Sequence, residues 1–239
     1  MSRFLCHFII FIILLLLIQN CSPSGIPVGE PIDDPTLLER LVNKLDIQYP
    51  HTFSLSQRII LNVRGKQYDF LGQLMVEKGK AFRAIAFGEM GGLFLDILHK
   101  GSQTSILGNP SSLPEKPLKL GVARDILQIF DYQRSEKMLF KNNQGRIWIR
   151  QSITGEIFYE YFFDKDSGLL QDMYIIEGNS IIKKIQFKNY AEYEKASTPL
   201  PSLIVVENKE WHYSMEIHLL TFKPEFDHKK AFELPGASE

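Results

Sequence analysis

Two helical stripes and a long run of alternating segments organise the chain. Leu37, Leu38, Leu41, Val42 and Leu45 recur at helical spacing. Ahead of them, Asp33-Asp34-Pro35 offers a capping carboxylate, Asp34, and a proline suited to the first helical position. From Ser56 onward the period changes to that of strands. Residues 58–64 and 67–76 flank the hairpin signal Gly65-Lys66, residues 81–87 follow the turn Glu77-Lys78-Gly79-Lys80, and residues 93–99 and 103–107 flank Lys100-Gly101-Ser102. Residues 146–152, 156–163, 169–177, 181–190, 202–206 and 210–221 continue the series, with turns at Thr154-Gly155, Asp166-Ser167-Gly168 and Gly178-Asn179. About eleven strands joined mostly by tight turns predict one meandering antiparallel sheet.

The faces of these strands differ. Trp211, Tyr213, Met215, Ile217 and Leu219 alternate with His212, Ser214, Glu216 and His218, so one side is apolar and the other wet. Residues 156–163 are apolar on both faces (Ile157, Phe158, Tyr159, Tyr161, Phe162, Phe163), as are residues 67–76 (Phe70, Leu71, Leu74, Met75, Val76). Strands of that kind require cover on both sides, by a partner sheet, a helix or a ligand. A second helix is expected over residues 118–130, after the Pro-rich loop 111–117. Val122, Ile126, Ile129 and Phe130 form its main face, Leu120, Ala123 and Leu127 widen it, and Gly121 weakens its start. A helix this apolar sits against or inside the sheet. The whole is a mainly β (α+β) chain with a concave, apolar-lined vessel.

The N-terminus adds an address. Arg3 precedes fifteen residues, Phe4 to Ile18, interrupted only by Cys6 and His7, and Ile18-Gln19-Asn20-Cys21 closes the segment. A charged start, an apolar core and a cleavage site make a secretory signal. The apolar run is shorter than the roughly 20 residues of a membrane span, which disfavours the alternative of an uncleaved anchor. Ile18 to Cys21 resembles a lipobox, although Asn20 stands where a small residue is usual and Gln19 is also atypical. That resemblance implies a bacterial lipoprotein cleaved before Cys21, with Cys21 as the lipid attachment site. Cleavage removes Cys6 and leaves one thiol, which lipidation accounts for. Residues 1–20 are thus read as a signal peptide, 21–32 as a Pro/Gly/Ser-rich tether, and 33–239 as the folded domain.

Charge and motifs then exclude more than they assign. With Arg3 removed, 26 basic residues face 28 acidic ones and no like-charge block stands out, so nucleic acid is not an expected partner. No HExxH, CxxC or Gly-x-Ser-x-Gly motif occurs, and no Gly-rich phosphate loop precedes a helix. His212 and His218 share a strand face with Glu216, but six residues of strand separate them by about 20 Å. Asp164, Asp166 and Ser167-Gly168 read as a polar turn without the distal Glu of a calcium loop. No enzyme activity, metal or cofactor is expected.

Three segments resemble the LolA/LolB-like family, and its lipid-anchored LolB type most. They are residues 82–97 (Phe82-Arg83-Ala84-Ile85-Ala86-Phe87-Gly88-Glu89-Met90-Gly91-Gly92-Leu93-Phe94-Leu95-Asp96-Ile97), the Pro-Leu-led helix from Pro117 to Leu127, and the tail containing residues 200–206, 215–219 and Phe232-Glu233-Leu234-Pro235. The resemblance implies an incomplete antiparallel β-barrel with a helical lid that holds acyl chains of lipoproteins and delivers them to the outer membrane. It places Met90 at the tip of a membrane-insertion loop, where the family usually has Leu; an ordinary hairpin tip is the other reading. Ligand-binding candidates are Phe70, Leu74, Ile85, Phe87, Leu95, Tyr159, Tyr161 and Trp211, with Ile126 and Phe130 on the lid; plain core packing is the alternative for each. The implied setting is the periplasmic side of the outer membrane. Lipoproteins or free lipid, and a LolA-like periplasmic carrier, are the implied partners of a monomer. The competing class is a structural or interaction lipoprotein of the envelope with a packed core.

Overall fold

The computed structural model describes residues 26–88, 91–108, 117–130, 137–142, 144–227 and 231–233. Helix α1 spans Pro35–Ile47, with Pro35 opening it and the Leu37 amide donating to Asp34 Oδ1 at 2.9 Å. That bond satisfies one of the amides a helix start leaves unpaired. Leu41 and Leu45 are buried and Leu37, Leu38 and Val42 pack around them, so the stripe in the sequence is the face α1 buries.

Thirteen strands follow or precede it: β1 Glu30–Pro31, β2 Thr52–Val63, β3 Lys66–Glu77, β4 Ala81–Phe87, β5 Leu93–Lys100, β6 Gln103–Gly108, β7 Lys137–Lys141, β8 Ile147–Thr154, β9 Ile157–Phe163, β10 Leu170–Glu177, β11 Ser180–Ala191, β12 Leu200–Asn208 and β13 Tyr213–Lys223. They form one antiparallel sheet in the order β1-β7-β8-β9-β10-β11-β12-β13-β2-β3-β4-β5-β6. Two meanders, β2–β6 and β7–β13, are therefore stitched together where β13 pairs with β2, from Tyr213↔Val63 to Lys223↔Ser54. The sheet is not closed, and β1 and β6 are its edges.

The count exceeds the expected eleven by β1 and β7. Glu30 and Pro31 pair with Lys141 and Phe140, and the Ile32 amide donates to Leu139 O at 2.9 Å. Residues 30–32, assigned to the tether in the sequence, are thus part of the sheet. A two-residue strand containing proline at a sheet edge has no alternation to read. β2 also begins six residues before Arg58, at Thr52. Trp211 and His212, expected in the last strand, lie in the turn ahead of β13, where His212 has φ 52°.

The second helix is a π-helical turn, Pro117–Val122, running into α2, Ala123–Phe130. Gly121 is needed there: a Cβ would stand 2.8 Å from Tyr213 Cε1. Ile129 and Phe130 are at most 1% exposed. Phe130 sits edge-on to Tyr49 at 5.1 Å and meets Phe53 at 5.7 Å, so the end of α2 packs beneath the end of α1.

β9 resolves the question of strands apolar on both faces. Tyr159 and Tyr161 face α2, while Phe162 points the other way into a separate cluster with Phe140, Trp148 and Tyr174. That outer cluster is covered by the chain itself. Arg146 stacks 4.3 Å from the Phe162 ring centre and Arg150 4.6 Å from that of Phe140, an arrangement of cations over aromatic faces. Gly29 closes the cover, since a Cβ on it would come within 2.1 Å of Trp148 Cη2.

Candidate functional site

α2 lies inside the curve of the sheet, because its side chains reach strands far apart in the sheet order. On one side Val122, Ile126 and Phe130 face Leu74 of β3, Ala84 and Ala86 of β4, and Leu95 and Ile97 of β5 around an apolar cavity. On the other, Asp125 forms an ion pair with Lys183 of β11 and accepts hydrogen bonds from Tyr213 of β13 and Asn208 of β12. Only a sheet wrapped around the helix permits both.

The cavity is nearly filled, at about 40 Å³. Small-molecule sites commonly offer roughly 300–1,000 Å³, so with α2 in place this cavity is far smaller than such a site. Of the sequence candidates, Phe70, Leu74, Ile85, Leu95, Ile126 and Phe130 border this cavity. Ile85 does so from the opposite phase of β4: it pairs with Gln73, whereas Ala84 pairs with Leu74.

A second pocket of about 300 Å³ opens at the mouth, between α2, β9 and the β3–β4 and β5–β6 turns. Tyr159 and Tyr161 line it, with Phe82, Leu127, Arg124 and Gln128, and it shares Ile126 and Phe130 with the inner cavity. Phe87 belongs to neither. It stands on the outer face at 36% exposure, paired with Leu71 (57%) on β3 and Leu93 (59%) on β5. These three make an exposed apolar row beside the β4–β5 hairpin. Trp211 packs beside Gly121 in the turn ahead of β13. Met90 and Cys21 lie outside the described residues.

The polar groups holding α2 escaped the sequence reading. Lys183 is 2% exposed and Asp125 fully buried. Lys183 Nζ also donates to Gln128 Oε1 at 2.6 Å, and Gln128 Nε2 donates to the Tyr159 hydroxyl at 2.6 Å. Asn208 Nδ2 reaches Tyr213 Oη at 3.2 Å, and Asn208 Oδ1 accepts from the Trp211 amide at 3.0 Å. Burial pushes the Asp125 carboxyl above its ordinary range, against the lowering pull of Lys183, Tyr213 and Asn208. Burial, with the Asp125 carboxylate beside it, also raises the Tyr213 phenol far above its ordinary value. A signal was present in the sequence. Lys183 falls in phase with the inward Ile185 and Phe187, and a helix buried over most of its surface must find partners for its Asp125 and Gln128.

On the outer face of β4 and β5, Arg83 and Asp96 form a bidentate pair at 3.0 and 2.7 Å. Arg83 Nη1 also donates to Ala231 O at 3.0 Å and Glu233 O at 3.2 Å, tying the C-terminal segment over the sheet. His218 lies 3.3 Å from Glu216 on a half-exposed face. Among the described residues, no group of three or more His, Cys, Asp or Glu is placed to hold a metal ion, and no helix is long and apolar enough to cross a membrane.

No family model and no curated protein matches the chain in sequence. Solved structures do resemble it. A LolA superfamily protein from Nitrosomonas europaea aligns over 82% of this chain and 97% of its own, at TM-score 0.56 and 11% identity. A putative outer membrane lipoprotein-sorting protein domain from Vibrio parahaemolyticus aligns over 80% and 94%, at TM-score 0.51 and 11% identity. A DUF1329 family protein from Desulfovibrio piger aligns over 83% and 99%, at TM-score 0.56 and 11% identity. The fold is thus the open, incomplete β-barrel of LolA-like proteins, here with thirteen strands and few helices.

Proposed function

We propose that this protein is a lipid-tethered carrier of the bacterial envelope. It takes acyl chains, of lipoproteins or of another lipid, into the apolar bowl that α2 now fills, and helps deliver them to the outer membrane. The observation that carries this reading is the placement of α2. An apolar helix occupies the concave face and is held to one wall by a compact polar cluster, so displacing one element opens the whole interior. Displacement needs no catalysis: cargo moves down the difference in affinity between donor, bowl and membrane.

In this reading residues 1–20 are removed on export, Cys21 carries the anchor, and the tether runs from there to β1. Several acyl chains on one cysteine hold a protein stably, at about 0.8 kcal/mol per buried CH₂. Met90 enters the bilayer, and a LolA-like periplasmic carrier is the donor. Native mass spectrometry tests the carrying step. After incubation with a dipalmitoylated lipopeptide, one adduct per protein is expected. Mass measurement of the mature N-terminus tests the anchor; an unmodified Cys21 refutes it.

The small inner cavity favours a second reading, a structural or interaction lipoprotein whose barrel is permanently packed. Absence of any lipid adduct, with α2 as protected from hydrogen exchange as the central strands, decides for that one.

A further inference from the structure

The mouth pocket has a chemistry that the apolar bowl does not require. Its inner wall is apolar (Phe82, Leu127, Ile126, Phe130), and Ile126 and Phe130 also border the inner cavity, so these two side chains stand between the two spaces. Its rim presents Arg124 and Tyr159, together with His99 and the paired Lys80 and Glu77.

The hydrogen-bond directions at this rim are fixed by the buried lysine. An ammonium only donates, so Gln128 must offer Oε1 to Lys183 at 2.6 Å. Its Nε2 then donates to the Tyr159 oxygen at 2.6 Å. Tyr159 is thereby used as an acceptor, and its own O–H is left to donate to whatever enters the pocket. Arg124 is 55% exposed, and its counter-charge Glu210 stands 3.7 Å away, too far for a hydrogen bond. Among the described residues no group accepts a hydrogen bond from Arg124. The other cation at the rim, Lys80, is engaged by Glu77 at 2.5 Å.

Two donors, one of them charged, therefore face a pocket whose inner wall is apolar and whose only carboxylate among the described residues, Glu77, is paired with Lys80. We infer that Arg124 and Tyr159 bind the anionic headgroup, carboxylate or phosphate, of a single-chain amphiphile whose tail lies along the apolar wall of Leu127, Ile126 and Phe130 in the mouth pocket. The guanidinium forks onto two anionic oxygens and the phenol donates to one of them. This rests on the acyl-carrier reading and adds the class of cargo the mouth selects.

The test uses the chain made without its signal and with Cys21→Ser, which retains every residue of the described fold. Calorimetric titrations compare palmitate, 1-palmitoyl lysophosphatidate and 1-hexadecanol, each below its micelle concentration. At least one anionic amphiphile should bind ten times more tightly than the alcohol, and the better of the two identifies the headgroup as carboxylate or phosphate. Arg124→Gln should reduce that preference to threefold or less while leaving the alcohol's affinity unchanged. Arg124→Lys should restore part of the preference. The side chain is largely exposed, so neither change threatens the fold. Equal binding of alcohol and anions, or a preference that survives Arg124→Gln, overturns the headgroup site and leaves the acyl carrier standing. Failure of all three ligands to bind overturns the carrier itself.

Discussion

Lys183 and Asp125 meet as an ion pair in which neither side chain is more than 2% exposed, and the pair joins α2 to the strand across the bowl from β4. Taking either partner away leaves the other charge buried alone. Lys183→Met should therefore destabilise the protein by about 3–5 kcal/mol in denaturant unfolding. Asp125→Asn combined with Lys183→Met removes both charges and keeps an acceptor for Tyr213, so the double variant should recover at least about half of that loss. In the double variant, hydrogen exchange in α2 should rise relative to the central strands. Equal losses in the single and double variants would show that the pair is not what anchors the helix.

The same carboxyl gives a pH dependence with a defined sign. Burial raises the Asp125 pKa above the ordinary carboxyl value, so the native state holds this proton better than the unfolded chain. Between the ordinary value and the raised one, stability falls as pH rises. Unfolding free energies of the wild type and of Asp125→Asn, measured across this window, should converge in pH slope once this contribution is subtracted. A wild type that gains stability relative to the variant as pH rises through the window would contradict the assignment.

Gly29 and Trp148 set a third expectation. Gly29→Ala drives a Cβ towards the indole at 2.1 Å and towards Lys141 O at 2.8 Å. β1 must then lift off β7, at a cost of about 1–3 kcal/mol as in other overpacked sites. Trp148 is fully buried between Phe140 and Phe162, so its fluorescence should shift to the red. An unchanged spectrum would mean that β1 does not cover the ring.

These particulars also mark what the sequence could and could not disclose. The meander was legible because most of its connections are short turns and its strands long, and α1 because its stripe and its cap agree. β4 was harder to orient. Its large residues Ile85 and Phe87 lie out of phase with the bowl, and the inward ones after Phe82 are Ala84 and Ala86. Small residues suit a wall that must admit a helix, so hydrophobic bulk points to the wrong face there. A register shift between Ala86 and Phe87 further breaks the alternation. The polar cluster needed a relation that no local window carries: Lys183 meets Gln128 from 55 residues away. Covering the outer face of β9 likewise depended on Arg146, Arg150 and Gly29 arriving from other segments.

Leu71, Phe87 and Leu93 carry the last prediction. They are neighbours on three consecutive strands, at 57%, 36% and 59% exposure, beside the β4–β5 connection. Water is a poor solvent for such a row, and a fully transferred leucine gains about 1.5–3 kcal/mol. If this end of the barrel meets the bilayer, Leu71→Ser with Leu93→Ser should lower vesicle binding about tenfold, since about 1.4 kcal/mol corresponds to that factor. Both side chains already face solvent, so folding stability should change by no more than about 0.5 kcal/mol for each. Flotation of the Cys21→Ser chain with phosphatidylethanolamine–phosphatidylglycerol vesicles isolates this surface from the anchor. Unchanged flotation would place the membrane contact elsewhere and reduce Met90 to a hairpin tip, whereas a loss confined to flotation assigns this face to the bilayer.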